Sequence, residues 1–229
     1  MNVIRKATRF AANAVFQMPP AFRLQQWMFG VPDVITREIL AELESVQPRH
    51  DCFRVLDFGC GCGTYSGLFA PEHYLGVDSS ERMLRWARRL HPGHTYLQAG
   101  DIDSIKSHVE NVSHLMLIGV VHHLSSESVL SILSALPHTR PVHVLTIDAL
   151  KISSGPGALI QLLERGEYLR TRDDYRALLE LALTDVRYNE VPYGRFLRLA
   201  VIRGRTRVAS GGDGGDALPA TAVDLVDRV

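Results

Sequence analysis

Short apolar runs alternate with segments of helical periodicity through most of the chain. The apolar runs predict strands near 53–58, 74–78, 95–98, 114–119 and 142–148. Between them, apolar residues recur every three or four positions, which predicts helices near 64–70, 80–90, 125–136, 156–165 and 173–181. This alternation is typical of a parallel sheet with helices packed on it.

The alternation stops after the last of these helices. Residues 184–190 and 196–203 are two β-rich runs with only a short Pro- and Gly-containing segment between them. Because no helix fits in that segment, the two runs predict an antiparallel hairpin.

The two ends of the chain differ from this core. Residues 3–18 predict an amphipathic helix that stops at Pro19-Pro20, and a second helix opens at Pro32-Asp33 with Asp33 as its N-cap. The inward face of this second helix is predicted to carry Ile35, Ile39, Leu40 and Leu43. Residues 1–31 are predicted either to pack on the sheet or to form a lid over a substrate, and a contact with a membrane surface is a third alternative.

These patterns divide the chain into three parts. We predict an N-terminal helical lid or cap over residues 1–49, one α/β domain over residues 50–205, and a flexible tail over residues 206–229. Glycine and aspartate dominate the first half of that tail, so it cannot bury much apolar surface.

Composition narrows the class of protein. The chain has 229 residues, 46% of them apolar, which is enough for one sizeable core. Its 25 basic and 25 acidic residues balance, so no overall basic field attracts nucleic acid, and a small-molecule substrate is favoured. No apolar run approaches the roughly 20 residues of a membrane span, and the N-terminus does not resemble a signal peptide. Composition indicates nothing about the oligomeric state.

Cysteine usage points to a reducing compartment. Cys60 and Cys62 are too close in sequence for an unstrained disulfide, which favours a cytoplasmic protein. They also lack a second Cys/His pair with zinc spacing, so no metal site is predicted.

The most informative feature is the turn after the first strand. It carries Gly59, Gly61 and Gly63 in the spacing G-x-G-x-G, and the second strand ends in Asp78. Glycines let a ligand approach the backbone, and an acid at the next strand end bonds ribose hydroxyls. A dinucleotide turn would read G-x-G-x-x-G. Asp57, two residues before the first glycine, would repel a pyrophosphate but suits a ligand with a cationic end.

These motifs resemble those of the class I S-adenosylmethionine-dependent methyltransferases, over about residues 50–203. The resemblance implies a doubly wound, Rossmann-like sheet of seven mostly parallel strands, ending in an antiparallel C-terminal hairpin. It also implies S-adenosyl-L-methionine as the cofactor. The predicted cofactor contacts are Asp57, Gly59, Cys60, Gly61, Gly63, Asp78, Ser79, Met83, Asp101, Ile102 and Gly119.

Within this set, the resemblance places Asp101 at the adenine amino group and Ile102 on the adenine ring. The alternative is that Asp101 caps the helix that begins near Ser104, a role that Asp103 could also fill. Ser79 would assist Asp78 at the ribose.

The end of the fourth strand is the predicted catalytic region. Gly119 is expected at the mouth of the site, the region beyond the carboxyl ends of the strands, where it leaves room for the methionine part of the cofactor. His122 and His123 follow it. This segment resembles the V-L-H-H-L run of quinone and natural-product methyltransferases, and it lacks the N/D-P-P-Y run of enzymes that act on nucleic acids. A histidine here can take a proton from a substrate hydroxyl, and His122 is the first candidate. The alternative is that one of the two histidines only packs or caps the next helix.

Two further segments are candidates for substrate contact. Tyr168, Arg170 and Arg172 either line a pocket for an acidic or phenolic substrate or form a solvated surface. Residues 148–157 form the second candidate, a loop at the mouth.

Taken together, the sequence predicts an enzyme that transfers the methyl group of S-adenosylmethionine to a small-molecule oxygen, nitrogen or carbon in a biosynthetic pathway. Two alternatives stay open. One is a non-catalytic partner protein that binds S-adenosylmethionine, and the other is an NAD(P)-dependent reductase, which the glycine spacing disfavours.

Overall fold

The computed structural model describes residues 31–45, 54–155, 167–194 and 197–208. Their core is a seven-stranded sheet in the order β3-β2-β1-β4-β5-β7-β6. The strands are β1 (Val55–Phe58), β2 (Tyr74–Asp78), β3 (Thr95–Gln98), β4 (His114–Ile118), β5 (His143–Ala149), β6 (Leu183–Tyr193) and β7 (Leu197–Thr206). The first five run parallel, and β7 pairs antiparallel with both β5 and β6. The predicted fold class and the C-terminal hairpin are therefore confirmed.

Five α-helices accompany the sheet in the described part of the chain. They are α1 (Val31–Ser45), α2 (Glu81–Leu90), α3 (Lys106–Val109), α4 (Ser126–Ser134) and α5 (Arg172–Glu180). The helix predicted over 64–70 is wrong, because only the 3₁₀ turn Ser66–Leu68 forms there. Gly63 has a positive φ of 71° just before it, and Pro71 starts a separate turn just after it.

Several predictions lie outside the described residues. They are the helices over 3–18 and 156–165, the lid formed by residues 1–31, and the tail beyond residue 208. In the described part, no helix combines the length and the apolar character that a bilayer crossing requires.

Helix α1 departs from its prediction in two details. It begins at Val31, so Asp33 lies in its first turn rather than at its N-cap. Ile35 and Ile39 are buried as expected, but Leu40 is 42% exposed. Successive residues of a helix are about 100° apart, so Leu40 turns away when Ile39 faces the sheet.

Alternate residues of the strands build a separate core on each face of the sheet. Leu56 and Leu115 pack with residues of α4 and α5 on one face. Val55 and Met116 pack with residues of α1 and α2 on the other. Burial on both faces explains why the central strands are continuously apolar rather than alternating.

The strand order reverses between β1 and β4, so β2 and β3 lie on one side of β1 and β5 on the far side of β4. Ligands of open α/β sheets bind in the crevice at this reversal, beyond the carboxyl ends of the strands. The segments that follow β1, β2, β4 and β5 therefore form the candidate site.

Candidate active site

In the glycine turn after β1, two glycines are closely packed against neighbouring side chains and the third borders open space. A Cβ atom on Gly59 would lie 2.5 Å from Cγ2 of Val120, and one on Gly63 would lie 2.8 Å from Oγ of Ser66. A Cβ on Gly61 would meet nothing within 4 Å. The outer glycines are thus required by the protein's own packing, whereas Gly61 borders open space that a ligand can enter.

Asp78 holds the glycine turn and the following helix in place. Its Oδ2 accepts the backbone N–H of Gly61 at 2.8 Å, and its Oδ1 accepts the backbone N–H of Ser80 at 2.8 Å. Burial raises the pKa of this carboxyl, while the two N–H donors act in the opposite direction. Each carboxylate oxygen keeps a second lone pair, which suits the predicted ribose contact.

Ser79 and Met83, the other two residues predicted to contact the cofactor near Asp78, make hydrogen bonds through their backbones. Ser79 is exposed, and its carbonyl accepts the side-chain amide of Gln98 at 3.1 Å. Met83 is half-buried in the first turn of α2, where its N–H donates to Oγ of the capping Ser80 at 3.4 Å. The cofactor contacts of both Ser79 and Met83 stay predictions.

Asp57, in contrast, lies beneath the turn and is 1% exposed. The Tyr74 hydroxyl donates to its Oδ2 at 2.7 Å. Burial raises the pKa of this carboxyl to about 7, the nearby Asp78 adds to the rise, and the bond from Tyr74 opposes it. The cofactor contact expected of this buried side chain stays a prediction.

Asp101 caps the turn that follows β3. Its Oδ1 accepts the N–H of Ser104 at 2.9 Å, and Oγ of Ser104 donates to its carbonyl. The assignment of this cap to Asp103 is wrong, since Asp103 forms an exposed ion pair with Lys106 at 2.8 Å. Ile102 is 2% exposed and packs in the core on the α4–α5 face. Contact of Asp101 or Ile102 with an adenine ring remains a prediction.

At the end of β4, Gly119 marks a second open position. It has a positive φ of 66°, and a Cβ there would meet nothing within 4 Å. Its N–H donates to the carbonyl of Ile147 on β5 at 2.8 Å, which fixes the backbone at the mouth. The open space agrees with the predicted place of the methionine part of the cofactor.

The two histidines beyond Gly119 have different surroundings. His122 is 7% exposed, and its Nδ1 is hydrogen-bonded to Oδ1 of Asp148 at the end of β5. The His122 backbone N–H donates to Oδ2 of the same carboxylate at 3.1 Å. His123 is exposed, and its ring centroid lies 4.0 Å from that of His122. A carboxylate that holds one imidazole nitrogen fixes the ring's orientation and its tautomer.

The sequence placed Asp148 at the start of a loop that could contact substrate, but it missed the pairing of this acid with His122. Asp148 is 1% exposed and also accepts the N–H of Ala149 at 2.8 Å. An acid inside the apolar run of β5 was the available signal. Its partner could not be inferred, because the pairing depends on how β4 and β5 lie side by side.

Arg170 corrects one sequence alternative. It is 2% exposed, so it belongs neither to a solvated surface nor to an open pocket. Its guanidinium donates to the carbonyls of Val121 and Leu124 at 2.9 and 3.0 Å and to Oγ of Ser126 at 3.1 Å. It therefore fastens the turn that carries His122. Tyr168 and Arg172, on either side, are exposed.

Cys60 and Cys62 are buried free thiols inside the glycine turn. The Cys60 thiol lies 3.8 Å from the carbonyl of Gly61, and burial raises its pKa well above the usual range. Within the residues that the structure describes, no group of three potential ligands is arranged to hold a metal.

The sheet topology, the glycine turn and the acid at the end of β2 define the class I methyltransferase fold. Residues 55–138 match a family model described as a methyltransferase domain. This part of the chain is therefore similar to a methyltransferase domain.

Curated relatives resemble parts of the chain. A malonyl-[acyl-carrier protein] O-methyltransferase of Bacteroides fragilis is 34% identical over 103 residues, which are 43% of this chain and 19% of that protein. A trans-aconitate 2-methyltransferase of Rhodopseudomonas palustris is 40% identical over 67 residues, 28% of this chain and 25% of that protein. A tRNA (carboxymethyluridine(34)-5-O)-methyltransferase of Saccharomyces cerevisiae is 29% identical over 117 residues, 50% of this chain and 38% of that protein. The chain thus spans well under half the length of these relatives.

Solved structures share the fold at low identity. A SAM-dependent methyltransferase from Archaeoglobus fulgidus superposes with a TM-score of 0.59 at 16% identity, covering 80% of this chain and 99% of that one. The plantazolicin methyltransferase BpumL, crystallised with a pentazolic desmethylPZN analog and SAH, superposes with a TM-score of 0.61 at 12% identity, covering 89% of this chain and 97% of that one.

Proposed function

We propose that this protein transfers the methyl group of S-adenosylmethionine to a small-molecule acceptor. The observation that carries the proposal is the meeting of two features at one edge of the sheet. The glycine turn with Asp78 follows β1 and β2, and the His122–Asp148 pair follows β4 and β5. One feature suits a nucleoside with a cationic end, and the other suits proton removal from an acceptor.

The residues present fit this cofactor. Gly61 and Gly119 both border open space, and Asp78 presents a partly buried carboxylate beside the first of them. Asp57 supplies further negative character beneath the turn. Once bound, S-adenosylmethionine supplies an electrophilic methyl group on a sulfonium.

The chain's own part in the reaction is to position the acceptor and to manage its proton. With the Nδ1 proton of His122 donated to Asp148, Nε2 is the nitrogen that accepts a proton from an acceptor hydroxyl. The hydrogen bonds from Arg170 to the carbonyls of Val121 and Leu124 hold the turn that carries this histidine in place. Alignment of acceptor and methyl group supplies much of the acceleration, because methyl transfer is an in-line displacement.

Three narrower statements belong to the same proposal. We assign the acceptor to biosynthetic small molecules, and the O-methyltransferases among the relatives make an oxygen acceptor the first class to test. We assign residues 1–31 to a lid over that acceptor. The two buried free thiols in the glycine turn favour the reducing cytoplasm.

The cofactor assignment is tested first, by calorimetry at pH 8 with S-adenosylmethionine and with NADH. We expect binding of S-adenosylmethionine alone, and binding of NADH alone would support the reductase alternative. Transfer is then followed by release of S-adenosylhomocysteine with hydroxyl, carboxyl and amine acceptors. Cofactor binding without transfer to any class would favour the non-catalytic alternative.

The base is tested with His122→Ala on a hydroxyl acceptor. We expect turnover to fall by roughly 10²–10⁴, the usual contribution of general acid–base catalysis, with unchanged cofactor affinity. The fall in rate at acidic pH should also disappear. His123→Ala is the matched control, because that neighbour is exposed whereas His122 is buried against Asp148, and its loss should cost far less. A His122 variant that keeps its rate and its acidic limb would show that the acceptor needs no base.

A further inference from the structure

The carboxyl of Asp57 is buried with very little to stabilise a negative charge. Its side chain lies on the face of the sheet covered by α1 and α2, and it is 1% exposed. Its one hydrogen bond within the described chain comes from the neutral hydroxyl of Tyr74. A buried carboxylate is costly unless a cation or several N–H donors compensate it, and the part of the chain that the structure describes supplies Asp57 with neither.

Among the described residues, the titratable groups that interact with Asp57 are all acids. They are Tyr74 and Asp78 on β2, Tyr96 on β3, and Cys60 and Tyr65 in the segment after β1. None of them carries a positive charge at any pH, and Asp78 adds a negative one. Burial raises the pKa of the Asp57 carboxyl to about 7, with a smaller contribution from Asp78 and an opposing one from the Tyr74 hydroxyl.

The charged side chains named below, on and near the helices of this face, do not offset the negative charge around Asp57. Arg88 on α2 pairs with Glu81 at 2.8 Å. On α1, Glu38 and Glu42 both pair with Arg203, at 2.8 and 2.9 Å. His94 lies beyond Tyr74, with its ring edge-on to the tyrosine at a centroid distance of 5.4 Å. The described residues therefore offer Asp57 no cationic partner.

We propose that binding of S-adenosylmethionine removes the proton from the Asp57 carboxyl, so that below neutral pH the buried carboxylate forms when a cationic ligand is present to balance it. This inference rests on the proposed function, because the cation must enter the glycine turn above Asp57. The O–H bond of the carboxyl breaks, its electron pair stays on the oxygen, and the proton passes to solvent. An opposite charge close to a poorly solvated carboxyl favours the ionised form strongly.

The coupling makes cofactor affinity depend on pH in a defined direction. Below about pH 7 the free protein holds the proton, so binding must expel it and the apparent affinity falls. Binding at pH 6 should be about tenfold weaker than at pH 8. Close to one proton should be released at pH 6 and close to none at pH 8. Asp57 would then select a cationic ligand over a neutral one most strongly above pH 7.

Calorimetry on the full chain tests this coupling. Heats of S-adenosylmethionine binding are measured at pH 6 and pH 8, in two buffers of different ionisation enthalpy at each pH, and the difference between buffers counts the protons released. Asp57→Asn is the matched variant, because it keeps an oxygen for the Tyr74 hydroxyl but cannot ionise. It should show no loss of affinity at pH 6 beyond that from titration of the ligand itself. Adenosine, which lacks the cationic part, should release no proton.

The outcomes separate this inference from the function on which it rests. Binding at pH 6 without proton release would overturn the coupling and leave the methyltransferase proposal intact. Equal release by Asp57→Asn, or by adenosine, would overturn the assignment to Asp57. No binding heat at either pH would overturn the cofactor proposal and this inference with it. Should the variant fail to fold, the two-buffer measurement on the natural sequence still decides whether a proton leaves.

Discussion

At the scale of single residues, three aspartates near one edge of the sheet have different tasks because they have different hydrogen-bond partners. Asp78 accepts two backbone N–H groups, and Asp148 holds both the ring and the backbone of His122. Among the residues that the structure describes, Asp57 receives only the hydroxyl of Tyr74. The first two carboxylates hold the backbone around the proposed ligands, whereas the third is buried and, in our proposal, loses its proton when a cationic ligand binds.

Replacing Asp78 should therefore weaken cofactor binding. Asp78→Ala removes the acceptor for the Gly61 and Ser80 N–H groups together with the predicted ribose contact. Hydrogen bonds to charged groups contribute roughly 1.5–3 kcal/mol, so affinity for S-adenosylmethionine should fall by about tenfold to a hundredfold. Calorimetry measures the change. Asp103→Ala is the control, since it removes only an exposed ion pair, and unchanged affinity in folded Asp78→Ala would refute the assignment.

At the scale of elements, the turn after β4 is held by a residue far away in sequence. Arg170 forms an isolated bridge with Leu150, just beyond β5, and the Lys151 N–H donates to its carbonyl at 2.9 Å. From there its guanidinium reaches the carbonyls of Val121 and Leu124. The exit of β5, the start of α5 and the His122 turn are thus joined by one residue, through its backbone on one side and its guanidinium on the other. Burial lowers the pKa of this guanidinium, because the charged form loses its contact with water.

Arg170→Lys tests this connection. Lysine keeps the charge but lacks the planar fork, so several of the bonds to backbone carbonyls should be lost inside a buried site. We expect the free energy of unfolding to fall by about 2–4 kcal/mol, measured by chemical denaturation. Methyl transfer should fall more than cofactor affinity, because the loosened turn carries His122.

Arg172→Lys serves as the matched control for Arg170→Lys. Arg172 is exposed, lies 4.7 Å over the Tyr188 ring and pairs with Glu190 at 3.5 Å. Exposed contacts of this kind contribute about 1 kcal/mol or less. Equal destabilisation by the two substitutions would contradict a special role for Arg170.

At the scale of the whole molecule, α1 is bound firmly to the sheet. Ile35 and Ile39 pack into the core on the α2 face, and Arg203 on β7 pairs with both Glu38 and Glu42. Helix α1 therefore belongs to the folded domain, although the sequence placed it with the N-terminal cap. A truncation that tests the proposed lid must accordingly end before Val31.

Deleting residues 1–30 distinguishes between two roles for this segment, a lid over the acceptor and a segment that only packs on the sheet. If these residues cover the acceptor, the truncated protein should bind S-adenosylmethionine with unchanged affinity and lose most of its methyl transfer, since water then enters the site. Calorimetry and turnover measured together check both parts. Deletion of residues 209–229 is the control and should change neither quantity. A stable truncation with full turnover would exclude the lid.

Local periodicity and motifs with short, fixed spacing were enough to predict the succession of strands and most helices along the chain, the glycine turn and the acid Asp78. Only the tertiary structure decided the partners. Asp148 meets His122 because β4 and β5 pair in parallel and end together, and Arg170 reaches the same turn from about fifty residues away. The protonation of Asp57 likewise depends on burial and on Tyr74 from the neighbouring strand. Contacts between elements distant in sequence, and the solvent exposure that results from them, are set by packing and leave little trace in local pattern.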